Sequence, residues 1–441
     1  MKPLFIPLLL ASSLLVATNA SAENLLQVYS HAKAYDPQLK SFEENFRSVK
    51  ESINQAKAAL KPQVALSASS TLSDSHIYSS PSSDGSTDIF SSSYAVNLSK
   101  PLYNKSLKAV KGKAYAAVDQ AQADLENRRQ NLILRTAESY FNILLNKESV
   151  KFSQAEKKAI GKQLEQVKAH FEAGILAITD VKETQSRYDQ AGAQEIAANT
   201  QLKLAKEALQ VITGRNYKHI AGSGAGIKLV KPNPASIEAW VKLAEKNSKQ
   251  IQAFKHAVEV AQKNLEQQRA GRKPTVDLVA SHGGTFTNDL NGNTSDRNKN
   301  DNSIGVQLNI PLYTGGAVAS KTRDALHNVK RARHELDLQK QLINEEVRSD
   351  YLTIISDISR VSSLKQALNS AETALEATQA GFEVGTRTAV DVLLSLRNVF
   401  AAKRDFASAR YSYLLNMLRL KKAAGTITVN DVKQTTALLG R

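Results

Sequence analysis

Most of this 441-residue chain is written twice. Lys61-Pro62 returns as Lys273-Pro274, 212 positions on, and Pro101-Leu102-Tyr103 returns as Pro311-Leu312-Tyr313, 210 on. Tyr140, Phe171, Gly174, Asp180 and Gly214 are matched by Tyr351, Phe382, Gly385, Asp391 and Gly425, each 211 on. An offset this constant is the mark of a tandem structural duplication. Each copy has the same order: a helix, two strand-like runs, a very long helical run, a sharp turn and a return helix. That order cannot close a core within one small domain, so each copy needs the other as a pseudo-symmetric partner. The predicted repeats are 23–213 and 235–425, joined by a Gly- and Pro-rich linker at 214–234 and followed by a tail at 426–441.

The ends bound the destination. Lys2, the apolar stretch from Leu4 to Ala17 and the small-residue site Ala20-Ser21-Ala22 read as a secretory signal peptide over residues 1–22. A membrane anchor is the rival reading, but Pro7, Ser12 and Ser13 break the run. No other stretch approaches the length of a transmembrane helix. The mature chain is therefore exported, or it crosses a membrane as β-strands. There is no cysteine, which excludes disulfides, thiol catalysis and a lipid anchor on an N-terminal Cys. His327 and His334 lie seven apart on one helical run without a third ligand at a useful spacing. No metal, cofactor or catalytic residue is expected. The net charge of +16 falls to +15 when Lys2 leaves. The lysines are spread along helical faces among Glu and Gln, without stacking aromatics, so they read as a solvated surface and not as a nucleic-acid site.

After Pro62 the hydrophobic period switches from 3.6 to 2. Val64, Leu66 and Ala68 alternate with polar or small residues, and Tyr94, Val96 and Leu98 do so up to Pro101. Val276, Leu278 and Ala280, then Ile304, Val306, Leu308 and Ile310 up to Pro311, repeat the pattern. Each repeat thus holds one β-hairpin with strands of about ten residues, enough to cross a bilayer when tilted. The loops at Ser79–Ser86 and Asn288–Asn302, the latter with Asn291-Gly292, are polar. Tyr78, Phe90, Tyr94 and Phe286 near those loops, and Tyr103 and Tyr313 at the opposite strand ends, fall where interfacial aromatic girdles do; ordinary packing is the alternative. Four strands cannot close a barrel, and an open edge is not tolerated in lipid. The strands must be shared, eight in a dimer or twelve in a trimer, and strand number alone does not separate the two.

The helices are the other extreme. Ser106 to His170 contains no proline and spans roughly 95 Å as a helix; Ala319 to Phe382 matches it. Stepping 3-4-3-4 from Val181 to Ile212, and from Val392 to Ala423, gives eight apolar or aromatic positions in ten each time. Such a seam predicts a coiled coil. Between long and return helices lie Phe171–Val181 and its copy Phe382–Val392. Gly174 and Gly385 end the first helix of each pair. Thr179 or Asp180, and Thr388 or Asp391, can cap the second. Gly222-Ser223-Gly224-Ala225-Gly226 lacks the spacing of a phosphate loop and reads as linker.

The signal peptide, the duplicated helix–hairpin–helix, Pro-Leu-Tyr at Pro101 and Pro311, and the tip Gly385-Thr386-Arg387-Thr388-Ala389-Val390-Asp391-Val392 resemble the TolC family of outer-membrane efflux proteins over essentially the whole mature chain. The resemblance implies a mainly α fold with a small β part. Three copies would build a 12-stranded barrel in outer-membrane lipid, continued by a helical tunnel across the periplasm. It implies a homotrimer docked to a periplasmic membrane-fusion adaptor and to an inner-membrane efflux pump or ABC exporter. Asp180 and Arg387 match positions that hold the tunnel entrance shut. Phe382 stands where a tyrosine often makes a similar link, and Asp391 matches an acidic ring. Leu394 replaces a second ring, and Gly174 and Gly385 match the turns that touch the adaptor. Against this, Asp180 and Asp391 would serve equally as helix caps, and Arg387 as a solvated charge. Function is then a non-enzymatic export duct. A periplasmic coiled-coil adaptor without a pore is the rival, although adaptors usually carry many-stranded β-domains, and no constellation for an exported hydrolase is present.

Overall fold

The computed structural model describes residues 22–77, 85–222, 227–290 and 297–439. The expected leader at 1–21, Tyr78, most of the loop at 79–86, residues 223–226 and Asn291-Gly292 lie outside the described residues.

Each repeat opens with a broken helix. In the first, α1 (Leu25–Tyr35) and α2 (Pro37–Ala58) meet at Asp36. Asp36 is almost fully buried. Its carboxylate accepts from Leu39 N–H at 2.9 Å and from Arg135 at 2.6 Å, while Pro37 supplies the first helical position. In the second, α5 (Ile237–Asn247) and α6 (Lys249–Ala270) break at Ser248, which caps α6 without a proline. Two rods follow each hairpin: α3 (Lys105–Glu172) with α4 (Ile178–Thr213), and α7 (Ala317–Glu383) with α8 (Ala389–Ala423). α3 has 68 residues, about 100 Å at the helical rise. Among the described residues, no helix is long and apolar enough to cross a membrane.

None of the twenty seam positions predicted on α4 and α8 is exposed. α4 packs on α3, α8 on α7 and on α3. Near the other end the neighbours run α2, α3, α6, α7, so α3 and α6 join the repeats and α2 and α7 form the flanks. The largest core lies at the middle of the rods. Tyr140, Leu132, Leu144, Leu209, Ile354 and Leu420 are fully buried there with Leu25 and Val28 of α1. The tail read as uninformative forms α9 (Val429–Leu439) and joins that core through Val432 and Leu439. Asp431 holds it down, accepting from Lys421 at 2.5 Å and from Thr428 N–H at 2.7 Å. The duplication survives in detail. Gly214 and Gly425 end α4 and α8 at φ 69° and 70°. A Cβ on the first would strike the Tyr35 ring and on the second the Asn247 backbone, two sites that are themselves 212 apart.

The strands β1 (Gln63–Ile77), β2 (Gly85–Asn104), β3 (Thr275–Asp289) and β4 (Arg297–Asn309) form one antiparallel sheet in chain order. At 13 to 20 residues they exceed the ten expected from the apolar alternation. The ladder continues beyond the apolar band, with Ser69–Ser93 at 2.9 Å and Ser281–Ser303 at 2.8 Å across strands, and it takes in 85–86, 288–289 and 297–302 from the stretches read as polar loop. β2 does not stop at Pro101 but runs on to Asn104, with a register shift between Pro101 and Tyr103. Lacking an N–H, proline fits at such an irregularity. Pro311 lies two residues beyond β4.

The register puts Val64, Leu66, Val96, Leu98, Leu278, Ala280, Ile304 and Val306 on one face, and Ser67, Ser93, Asn97, Ser281, Ser303 and Gln307 on the other. Leu66 is 71% and Ile304 79% exposed. A soluble sheet would cover such side chains, so this apolar face meets lipid. Tyr94 stacks on Phe286 at 6.4 Å on the same face.

One half-buried carboxyl stands out near the middle of α7. Asp350 on α7 has its carboxyl pushed up to about 6, first by burial and then by Glu346, against the pull of Arg419 and Lys422. Raised above its unfolded value, it favours the fold at low pH, and that contribution is lost as pH rises through 6. Wild type should therefore melt lower at pH 8 than at pH 5. Asp350→Asn should raise the melting temperature at pH 8 and narrow the gap, by about 1 kcal/mol after allowing for solvent screening. Thermal melting in detergent at the two pH values measures it.

Candidate gate at the helical tips

Both tip turns are built alike. α3 ends with Gly174 N–H on Phe171 C=O at 2.9 Å and Ile175 N–H on His170 C=O at 2.8 Å. α7 ends with Gly385 N–H on Phe382 C=O at 3.1 Å and Thr386 N–H on Gly381 C=O at 2.8 Å. These are the reverse-turn bonds that terminate a helix through a left-handed residue. Gly174 and Gly385 take φ 76° and 75°. Nothing lies within 4 Å of a Cβ at either position, so the backbone angle and not space demands glycine.

The return helices begin three residues further on. Thr388 is the cap of α8, accepting from Asp391 N–H at 3.2 Å, and the Asp391 carboxylate accepts from Thr388 N–H at 2.9 Å. This reciprocal pair is a capping box. The Thr388 N–H and hydroxyl hold the Asp391 carboxyl below its ordinary value, with Arg387 adding a smaller electrostatic pull. On α4 the cap position is Ala177, and Asp180 accepts from Ala177 N–H at 3.2 Å. Both aspartates therefore stand inside the first turn, not at the cap, and Thr179 caps nothing. The capping reading of Asp180 and Asp391 accounts for their contacts within one chain.

Arg387 is exposed. Among the described residues, neither it nor Asp180 makes an ion pair within the chain. Phe382 is buried in a core with Ile160, Val167, Val392, Leu396 and Phe400, and its ring stacks on His170 at 5.7 Å. It acts through packing between α3 and α8 rather than through a polar link. Asp391 is half-buried, and Leu394 one turn on is 45% exposed. Leu394 borders a cleft of about 330 Å³ with Arg187, Arg397 and the Glu156–Arg404 pair at 2.9 Å.

Sequence reasoning missed the charges that lock α8 to α3. Besides Glu156–Arg404, Tyr411 donates to Glu148 at 2.8 Å and Arg410 approaches the same carboxylate at 3.5 Å. These partners lie some 250 residues apart, and no spacing on a single helix reveals them. Their signal is a basic residue on one seam and an acidic one at equal depth on the facing rod.

The chain matches the family described as outer membrane efflux protein over residues 28–215 and 240–426, once per repeat. The chain belongs to this family. It is 35% identical to the outer membrane protein TolC of Vibrio cholerae serotype O1 over 98% of both chains. It is 28% identical to the alkaline protease secretion protein AprF of Pseudomonas aeruginosa, over 96% of this chain and 89% of that one. The solved structure of CusC, described as a transmembrane channel, superposes with a TM-score of 0.77 over 92% of both chains at 18% identity; the fold is that of an outer-membrane channel. This efflux protein is thus a transporter component and not an enzyme.

Removing the Thr388 hydroxyl tests the tip geometry. Thr388→Ala should cost the first turn of α8 about 1 kcal/mol. Hydrogen exchange of that turn, followed by mass spectrometry at pH 7, should accelerate roughly five-fold while the middle of α8 is unchanged.

Proposed function

We propose that three copies of this chain assemble into one export duct. Twelve strands form the lipid-spanning barrel, and the rods form a tunnel across the periplasm. The observation that carries this reading is the four-stranded sheet with an apolar outer face and both lateral edges unpaired, set on helical hairpins about 100 Å long. An edge in hydrocarbon must find a strand, and three copies close a ring of a size that leaves a passage. With no energy source of its own, the duct works with an inner-membrane pump or ABC exporter through a periplasmic adaptor. Relatedness to TolC and AprF supports drugs and polypeptides as its cargo.

In this assembly the tips meet around one axis. Asp180 of one protomer faces Arg387 of the next, while the Asp391 carboxylates form a ring. A single exposed pair contributes about 0–1 kcal/mol, but three act together. Protein solubilised from outer membranes should be a trimer that conducts ions in planar bilayers. Arg387→Ser should raise its single-channel conductance, and Asp391→Ala should weaken its cation preference. A detergent-free monomer by light scattering would sink the assembly. Wild-type conductance in the first variant, with wild-type selectivity in the second, would leave both residues as caps and solvated charges.

The turns lie at the ends of the rods far from the sheet, and the space around a Cβ at Gly174 or Gly385 is open, which suits them to receive the adaptor. Gly385→Val forces a β-branched residue to positive φ. It should reduce drug export in cells several-fold at normal trimer levels; undiminished export would mean that the adaptor binds elsewhere.

A further inference from the structure

Just below the barrel, α3 and α6 enclose a groove of about 470 Å³. Lys105, Lys108 and Gly112 line it from α3. Lys263, Glu266 and Ala270 line it from α6 at the same i, i+3, i+7 spacing, with Arg269 and Lys273 at the rim. Five basic side chains thus surround one acid. Glu266 is already bound by Lys263 at 3.0 and 3.1 Å, and Lys105, Arg269 and Lys273 are exposed. The floor is apolar and shallow: Ala109 and Ala270 are buried, and the Lys263 stem lies so close to Gly112 that a Cβ there would stand 3.2 Å from it.

The groove adjoins the sheet: Lys105 is the first residue of α3 after β2, and Lys273 stands two residues before β3. Lys108 lies over the Tyr103 ring at 5.9 Å. Tyr103 pairs in register with Val276, which shares its face with Leu278 and Ala280, the face that meets lipid. α3 and α6 are also the inner pair of the four neighbouring helices, so the groove belongs to one protomer and is not a seam between copies. A basic, apolar-floored groove directly under the lipid band complements a headgroup that bears a fixed negative charge next to acyl chains.

We propose that this groove binds the phosphodiester headgroup of an anionic phospholipid in the periplasmic leaflet of the outer membrane. The rim cations hold the phosphate, and the lysine stems with Ala109, Gly112 and Ala270 lie against the glycerol and the first methylenes. The site anchors the barrel's periplasmic rim at a set depth.

Delipidated channel in neutral detergent is titrated separately with phosphatidylglycerol and with phosphatidylethanolamine, and bound lipid is counted by native mass spectrometry. Wild type should prefer phosphatidylglycerol about tenfold. Lys105→Gln/Arg269→Gln/Lys273→Gln should lose the preference. Lys105→Arg/Arg269→Lys/Lys273→Arg should keep it, as should Lys158→Gln/Lys168→Gln/Lys182→Gln, which removes the same charge near the tips. The trimer mass in each spectrum reports assembly. Should the first variant fail to assemble, Gly112→Leu, which fills the groove and leaves its charge, is read instead and should lose the preference. Equal affinity for the two lipids in wild type, a preference that survives in the groove variants, or an equal loss in the tip variant would overturn the proposal. So would displacement of the lipid by excess inorganic phosphate, which would mark a site for free anions.

Discussion

In hydrocarbon there is no water to satisfy a backbone N–H or C=O, and each one left bare costs several kcal/mol. This constraint shapes the whole molecule. The four-stranded sheet pairs β2 with β3 across the two repeats and leaves the outer sides of β1 and β4 open. The chain therefore cannot be finished as a monomer in a membrane. Everything below the sheet follows from the need to bring copies together around an axis. The four upper helices lie side by side, with α2 and α7 placed to meet neighbours, and the rods extend the ring away from the membrane.

The duplication makes such a ring economical. One helix–hairpin–helix unit, used twice, gives a protomer with approximate internal symmetry, visible in the paired glycine turns and in the glycines that end α4 and α8 against the helix breaks. The symmetry is not complete at the tips. Ala177 stands where the other copy has Thr388, and Ala173, Leu176 and Ala177 bring no counterpart to Arg387. The second tip has the better-capped helix and the free cation. The two turns differ in chemistry although they share a backbone.

Much of this was legible in the sequence. Alternation at Val64–Ala68 and Ile304–Ile310, the proline-free run after Ser106 and the 3-4 seam are periodic signals, and a period survives translation into structure. The glycines at 174 and 385 were legible because a left-handed turn tolerates little else. What escaped was non-periodic or non-local. The polar stretches read as loops lack apolar alternation, yet at 85–86, 288–289 and 297–302 their backbones pair across strands. α9 was invisible because its few apolar residues gain meaning only against the core at the middle of the rods. Phe382 was read by the polar link it lacks, and its stacking on His170 escaped because that partner lies on another rod. The roles of Asp180 and Asp391 were left open, and within one chain each carboxylate accepts from the backbone N–H of the residue just before its return helix.

The open rims also govern the chain before it reaches a membrane. A bare strand edge does not distinguish a sister copy from any other extended peptide. A protein carrying two of them through an aqueous compartment risks mispairing at every encounter. The prolines limit where that can happen. Pro62 stands immediately ahead of β1 and Pro311 just beyond β4, so each outer rim ends, on its helical side, at a residue that cannot extend a ladder. Misdirected pairing is confined to the strands, and the rods are kept free of it. The residues that terminate the strands in the finished pore thus act as gatekeepers during its biogenesis.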